Sequence, residues 1–227
     1  ANRYHLAGYV WHITHRCLGR AFLLRFEQEK RSWVHWLGVA RRRYGLSILN
    51  YSVTSNHVHL CVCDRGEGEI ARSMQLVQGQ VALEYNRRKR RTGAFWHDRY
   101  HATAVETGTH VLRCCSYIDL NMVRAGVVTH PSQWRWCGYG EIMRGRRRFR
   151  LIDREKLSEA IGLDECAELP RVYSDRMEYL VERQPIERDA CWTEAVAVGD
   201  GSFIERVKGL LGSVRHTWEL VTDEQQD

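Results

Sequence analysis

The order of strand-like and helix-like patterns is the feature that most restricts the fold of this chain. Strand-forming residues are concentrated in four segments, at positions 8–15, 46–54, 57–63 and 95–105. Apolar residues recur at helical spacing in three others, at positions 33–44, 70–85 and about 109–124. The resulting order, βαββαβ followed by a helix, predicts an α+β fold: a ferredoxin-like antiparallel sheet with helices on one face.

The charge changes sign along the chain. Residues 1–150 contain 25 Lys and Arg against 10 Asp and Glu, whereas residues 151–227 contain 9 against 18. A body with a net charge of +15 suits a polyanion such as a nucleic acid. We predict one domain at residues 1–145, then a basic linker and an acidic, mainly helical extension at residues 146–227. The extension is either a packing or dimer surface or a cover over the basic body.

Cysteine usage and hydropathy bear on the compartment. None of the eight cysteines forms a CxxC pair, so we expect reduced and mostly buried thiols rather than a zinc ribbon or a disulfide framework. No apolar run approaches the ~20 residues that span a bilayer, and no secretory leader opens the sequence. These features predict a cytoplasmic protein without a membrane partner.

Two histidines stand two residues apart in the third predicted strand. Because strand side chains alternate between faces, His57 and His59 lie on one face, where two imidazoles can bind one metal ion. An isolated pair of this kind is also typical of surface or hydrogen-bonded histidines. A zinc site that adds Cys61, which shares the face, is a further alternative.

The third predicted helix carries two stripes. The apolar stripe, which we expect to be buried, comprises Val111, Cys115, Ile118, Met122 and Ala125. The second stripe is polar and comprises His110, Arg113, Tyr117, Asn121 and Arg124. Tyr117 and Asn121 are four residues apart and therefore stack on one face. They are either a nucleophile with a metal-ligating amide or part of a solvated polar face.

Taken together, these residues supply what an attack on a phosphodiester needs. The nucleophile would be Tyr117, and a Lewis acid would be held by His57, His59 and Asn121. Arg113 and Arg124 would bind the phosphate backbone. Two imidazoles and an amide bring no negative charge, so the ion would remain electrophilic and keep positions open for phosphate oxygens. Mg²⁺ and Mn²⁺ both suit such a site.

Several segments of the sequence resemble those of a known family. The segments HVHL after Ser55-Asn56 and SYIDLNMVRAGVV from Ser116 resemble the single-tyrosine HUH endonuclease superfamily, and within it the REP-associated tyrosine transposases. The segments GYVWHITHR, FWHDRYH and HPSQWRWCGY extend the resemblance over roughly residues 5–145. Met122 replaces a proline usual in the family, but its place on the apolar stripe predicts little functional effect.

The resemblance implies a metal-dependent single-stranded DNA endonuclease and strand transferase. Such enzymes cut beside palindromic hairpins of bacterial genomes, form a 5′-phosphotyrosine and leave a free 3′-OH. Matched residue by residue, His57 and His59 are metal ligands, Tyr117 is the nucleophile and Asn121 is the third ligand. The sequence leaves open the DNA target and the biological role. It also leaves open whether the protein is a monomer or a homodimer, and whether Tyr117 acts within its own subunit or on a neighbour.

Clustered basic residues end the first two helices. We predict that they contact DNA phosphates, which positions DNA without reading sequence. They are Arg41, Arg42, Arg43, Arg87, Arg88, Lys89, Arg90 and Arg91; a further basic run lies at residues 144–150. Solvated helix ends are the alternative for each cluster.

Two other classes of protein compete with this interpretation. A non-catalytic nucleic-acid-binding module can have the same βαββαβ plan, but it gives His57, His59 and Tyr117 no joint purpose. A metal-independent phosphodiesterase with two HxT motifs would use His12-Ile13-Thr14. Its second motif is missing, because His57-Val58-His59 lacks the hydroxyl residue.

Overall fold

The structure, a computed structural model, describes residues 6–144, 150–183 and 188–211. The strands are β1 (Val10–Arg16), β2 (Ser47–Val53), β3 (His57–Cys63), β4 (His101–Val105) and β5 (Ala197–Val198). The first helices are α1 (Glu27–Tyr44), α2 (Glu69–Lys89), α3 (Thr109–Asp119) and α4 (Asn121–Arg124). Those that follow are α5 (Tyr139–Arg144), α6 (Arg154–Ile161), α7 (Leu169–Glu182), α8 (Cys191–Glu194) and α9 (Gly201–Leu211).

The sheet confirms the predicted architecture. Its strand order is β2-β3-β1-β4-β5, and the first four strands are antiparallel. The central strand β1 pairs with β3 in a register that sets Thr14 opposite His59 and Arg16 opposite His57. β5 adds a short parallel strand beside β4. Both histidines therefore pair with the central strand, and His59 also has a partner in β2, Ser52.

Both faces of the sheet are buried, by different helices. α1 and α2 cover one face, as predicted; the Trp33 ring of α1 lies 6.3 Å from that of Tyr51. α3 covers the opposite face, where Asn50 Nδ2 donates to the Cys115 carbonyl over 3.1 Å. The histidine face of β3 is therefore a second interior, and His59 is only 1% exposed.

Two predicted elements differ from the structure. The fourth strand is shorter than residues 95–105, because β4 begins only at His101 and the preceding loop includes Asp98 at φ +52°. A strand residue cannot adopt that left-handed conformation. The helix predicted over residues 109–124 is interrupted at Leu120, whose ψ of 0° separates α3 from α4.

The tyrosine helix is more deeply buried than its stripes suggest. His110 and Tyr117 of the polar stripe are buried, as are Val111, Cys115, Ile118 and Met122 of the apolar stripe. Ala125, predicted to be buried, is exposed. α3 is nearly enclosed because α6, α7 and the β4 edge pack around it.

The described residues after position 150 share one hydrophobic core with the sheet. Leu157, Tyr173 and Met177 are fully buried in it. The predicted domain boundary between residues 145 and 146 and most of the basic run at 144–150 lie outside the described residues. The division into two domains stays a prediction.

None of the eight cysteines, all of which lie in the described residues, forms a disulfide, and seven of them are buried, in keeping with the prediction of reduced thiols. Within the described ranges, no helix combines the length and apolar character needed to span a membrane.

Asp119 is a buried carboxyl group that couples stability to pH. It is fully buried at the end of α3, and Tyr173 of α7 donates a 2.6 Å hydrogen bond to it. Burial raises the pKa of Asp119 from 3.8 to about 7, against the opposing effect of hydrogen bonds from Tyr173 and Asn50. The folded chain therefore retains a proton that the unfolded chain releases.

We expect this group to make the protein less stable as pH rises from about 4 to about 7. The folded state binds more protons than the unfolded state in this window, so the free energy of unfolding falls by up to about 4 kcal/mol. Chemical denaturation of wild type and Asp119→Asn across this range measures the effect. The asparagine variant should lack this fall, whereas the control Asp164→Asn, an exposed site, should retain it. Parallel curves for wild type and Asp119→Asn would contradict the prediction.

Candidate active site

A basic cavity of about 310 Å³ opens where β3 begins and α3 meets α4. It brings together five residues predicted from the sequence: His57, His59, Tyr117, Asn121 and Arg124. The other side chains in its wall are Arg16, Arg20, Asn56, Ala125, Arg188 and Thr193. Arg113, also predicted to be at the site, is not in the wall of this cavity and lies instead near Arg176 of α7.

Hydrogen bonds on both ring nitrogens fix the tautomer of His59. Asn121 Nδ2 lies 2.9 Å from His59 Nε2 and, as a donor, requires that nitrogen to accept. Burial, with nearby His57, holds the pKa of His59 well below its usual value, so the ring is neutral. Its proton is therefore on Nδ1, which donates to His12 Nε2 over 2.9 Å. The Nε2 lone pair faces the cavity.

His57 also carries its proton on Nδ1, because of a different hydrogen-bond partner. Asn56 Nδ2 donates to the Arg20 carbonyl, so its Oδ1 faces His57 Nδ1 at 2.7 Å and accepts from it. Burial, together with nearby Arg16 and Arg124, lowers the pKa of His57 to about 4. The neutral ring therefore keeps its proton on Nδ1 and a free lone pair on Nε2. The two rings lie 4.9 Å apart between centroids.

These donors fit a divalent ion with few protein ligands. Two neutral imidazoles, each holding its Nδ1 proton in a second hydrogen bond, are arranged as metal-ligating histidines commonly are. Rotation of the Asn121 amide would offer its oxygen as a third ligand. Within the described ranges, no three His, Cys, Asp or Glu side chains are grouped to hold a metal ion. An asparagine oxygen is a ligand of another type, so the Asn121 amide is compatible with such a site.

Tyr117 is held among these groups. Its ring lies 6.1 Å from the ring of His12 and 5.8 Å from that of His59, edge-on to both. The Arg124 guanidinium lies over the ring at 4.0 Å and donates to the Tyr117 carbonyl over 2.7 Å. Burial raises the pKa of Tyr117, while Arg124 and Arg188 act to lower it. Its phenol therefore lies where cations stabilise the charge of a phenolate.

Sequence reasoning missed several residues of this site. His12 supports His59 from β1, and its signal was the strand alternation that places it on the same face. Arg16 follows on that face four residues later. Arg188 and Trp192 come from residues 188–198, and no local pattern in the sequence connects them with α3. Only the tertiary structure brings them to Tyr117.

The two predicted basic clusters lie at opposite ends of the helical layer. Arg88 at the end of α2 pairs with Glu29 at the start of α1, so residues 87–91 lie toward the His57 end of the sheet. Arg43 and Arg72 both contact the Tyr44 ring, where α1 ends and α2 begins. Residues 41–43 are therefore at the far end, about seven strand residues or roughly 20 Å away. DNA contact by either cluster stays a prediction.

The geometry does not support the two alternatives raised by the sequence, the zinc site with Cys61 and the phosphodiesterase with two HxT motifs. Cys61 is fully buried and hydrogen-bonds to Cys114 and Cys115, away from the cavity wall. Thr14 lies directly opposite His59 in the sheet and lines the neighbouring cavity. The structure thus offers no third zinc ligand from Cys61 in the cavity wall, and the second HxT motif is still missing because a histidine follows Val58.

Comparison with solved structures indicates the fold. One similar structure is a REP-associated tyrosine transposase bound to a REP hairpin, with 18% identity and a TM-score of 0.54. The similarity covers 66% of this chain and 88% of that one. A candidate transposase from Deinococcus radiodurans R1 matches with 15% identity and a TM-score of 0.37, over 47% of this chain and 85% of that one. No curated protein matches the chain.

A family model provides the assignment. The model described as "Transposase IS200 like" matches residues 7–121, just over half of the chain. The match runs from β1 to the start of α4 and includes His57, His59, Tyr117 and Asn121 of the cavity. The chain therefore belongs to the IS200-like transposase family.

Proposed function

We propose that this protein is a metal-dependent single-stranded DNA endonuclease and strand transferase that acts at palindromic hairpins through a 5′-phosphotyrosine on Tyr117. One observation carries the proposal. The buried Tyr117 phenol lies in a basic cavity beside two neutral histidines whose Nε2 lone pairs face that cavity. This arrangement gives His57, His59, Tyr117 and Asn121 a shared purpose that a binding module would not need.

The proposed reaction exchanges one phosphoester for another. The Tyr117 oxygen attacks phosphorus, its proton passes to solvent, and a phosphorus–oxygen bond forms. The bond from phosphorus to the 3′ oxygen breaks, and that oxygen takes up a proton to become a free 3′-OH. Attack by a 3′-OH on the phosphotyrosine reverses these steps and rejoins DNA. No external energy source is needed, because the phosphotyrosine retains the bond.

His57, His59 and Asn121 would hold Mg²⁺ or Mn²⁺. When bound, the ion supplies a Lewis acid that polarises the phosphate. The protein's own contribution is to keep both imidazoles neutral and oriented: His12 accepts from His59, while Asn56 accepts from His57. Because the three ligands carry no charge, we expect the ion to bind weakly alone and more tightly with DNA.

The surrounding arginines suit a DNA substrate. Arg16, Arg20, Arg124 and Arg188 all line the cavity, where their positive charges attract phosphate oxygens. The structural neighbour was solved bound to a REP hairpin, which supports hairpin DNA as the substrate here. Tyr117 lies next to the histidines of its own chain, which favours attack within one subunit in a monomer or a homodimer. We further propose that the protein acts in the cytoplasm, for which free thiols are suited.

A denaturing gel tests the proposal. Protein is incubated with end-labelled single-stranded DNA carrying REP-type hairpins, with Mn²⁺, with Mg²⁺ or with a chelator. We expect a protein–DNA adduct that survives denaturation and forms only with a divalent ion. Hairpin binding without an adduct under every ion condition would instead favour the non-catalytic binding module.

A further inference from the structure

Residues 188–198, which lie beyond the family match, attach to the edge of the sheet. The Ala195 carbonyl accepts from Thr103 Oγ1 over 2.7 Å and lies 2.9 Å from His101 Nε2. Ala104 N donates to the Val196 carbonyl over 2.8 Å, and β5 continues this pairing. Backbone and side-chain hydrogen bonds thus fix this segment to β4, the strand next to the one that carries His12.

The segment also closes over the nucleophile. Trp192 is 3% exposed, and its ring lies 6.1 Å from that of Tyr117 at a tilt of 35°. His12 and His59 contact the same ring. Tyr117 is therefore held between the histidines of the sheet and a tryptophan delivered by α8.

Arg188 is the charged group of this segment. It lines the cavity that contains Tyr117, and also an adjoining cavity of about 320 Å³ formed largely by residues around His15 and His97. Arg188 donates to Thr193 Oγ1 over 3.0 Å and to Glu194 Oε1 over 2.8 Å. Both bonds are donated by Nη2, so they fix one end of the guanidinium group, while the side chain stays 54% exposed. A phosphate beside Tyr117 can therefore reach it.

We propose that Arg188 is a further catalytic residue, which binds the scissile phosphate, and that residues 188–198 complete the cleavage site. The inference rests on the proposed function of Tyr117. As the bond from the Tyr117 oxygen to phosphorus forms and the bond to the 3′ oxygen breaks, negative charge builds on the non-bridging oxygens. Arg188 stabilises that charge through hydrogen bonds and transfers no proton.

The position of Arg188 at the junction of the two cavities supports this role. Arg16 and Thr193 are shared by both cavities as well. A DNA strand that passes from one cavity to the other must bring a phosphate past these groups. The proposal thus assigns a purpose to a segment of the acidic extension that lies beyond the family match.

The test compares Arg188→Gln and Arg188→Lys with a matched control, Arg171→Gln, in the full chain. Arg171 is an exposed arginine of α7 with carboxylate neighbours at 3.7 Å. The first readout is the rate of adduct formation on hairpin DNA at saturating DNA. We expect Arg188→Gln to lower it on the order of 100-fold, as loss of one transition-state donor does. Arg188→Lys should recover part of the rate, and the control should match wild type.

The second readout does not depend on chemistry. In a Tyr117→Phe background, affinity for the same DNA is measured over a range of salt concentrations. Loss of one phosphate contact should reduce the slope of log K against log salt by about 0.7 for a single strand. If Arg188→Gln changes neither the salt slope nor the rate of adduct formation, the proposal is overturned. A rate above that of wild type would also overturn it, because Arg188 would then be inhibitory. A reduced slope in a protein that never forms an adduct would retain the phosphate contact and refute the proposed function instead.

Discussion

Replacing Tyr117 with phenylalanine should eliminate the covalent adduct and leave hairpin binding intact. The substitution removes only the hydroxyl oxygen. The ring contacts with His12, His59 and Trp192, and the Arg124 guanidinium over the ring, depend on the ring itself. We expect strand cleavage to fall on the order of 10⁴-fold or more, as it does when a nucleophile is removed from other enzymes. Adduct formation on denaturing gels and hairpin affinity by fluorescence anisotropy measure the two effects.

Tyr179→Phe is the matched control, because Tyr179 is an exposed tyrosine of α7. It should cleave like wild type. A Tyr117→Phe protein that still forms adduct at the wild-type rate would exclude Tyr117 as the nucleophile. Loss of hairpin affinity together with loss of cleavage would mean that the hydroxyl serves in DNA binding.

Replacing His57 or His59 with alanine should remove the response to the divalent ion. Each change deletes one Nε2 lone pair from the cavity and with it one ligand of a site that has few. Loss of an outer hydrogen-bond partner of a metal ligand commonly costs 10- to 100-fold. We expect loss of the ligand itself to cost at least on the order of 100-fold in cleavage. Titration of Mn²⁺ into a Tyr117→Phe protein with hairpin DNA measures binding apart from cleavage.

His57→Ala is the more informative of the two variants. His59 lies in the interior against His12, whereas the His57 ring contacts the Asn56 and Thr54 side chains near the surface. The control is His35→Ala on the exposed face of α1. Mn²⁺ binding that is equal in wild type, His57→Ala and His35→Ala would place the metal elsewhere.

The fold was predictable because its information is local. Strand alternation at β2 and β3, and the helical stripes of α1 and α2, each need only a few neighbouring residues to be recognised. The order of these elements then restricts the topology. The loop before β4 was not predictable in this way, since Phe95 and Trp96 have strand-forming side chains. The left-handed Asp98 that follows prevents a strand there.

The site was predictable in part, for the same reason. His57 and His59 are neighbours on one strand, and Tyr117 and Asn121 are neighbours across one helical turn. Local spacing therefore places each pair. The meeting of the two pairs depends on α3 covering the histidine face of the sheet. The contributions of His12, Arg188 and Trp192 depend on contacts between residues far apart in the chain. No local spacing pattern in a single sequence reveals such contacts.

Peptide mapping of the adduct tests the central claim most directly. Trypsin cuts after Arg113 and Arg124, so Tyr117 is the only tyrosine in the peptide of residues 114–124. After reaction with hairpin DNA and nuclease trimming, mass spectrometry should find this peptide carrying a 5′-phosphonucleotide on Tyr117. A nucleotide attached to any other residue, or cleaved DNA with no modified peptide, would contradict the proposed mechanism.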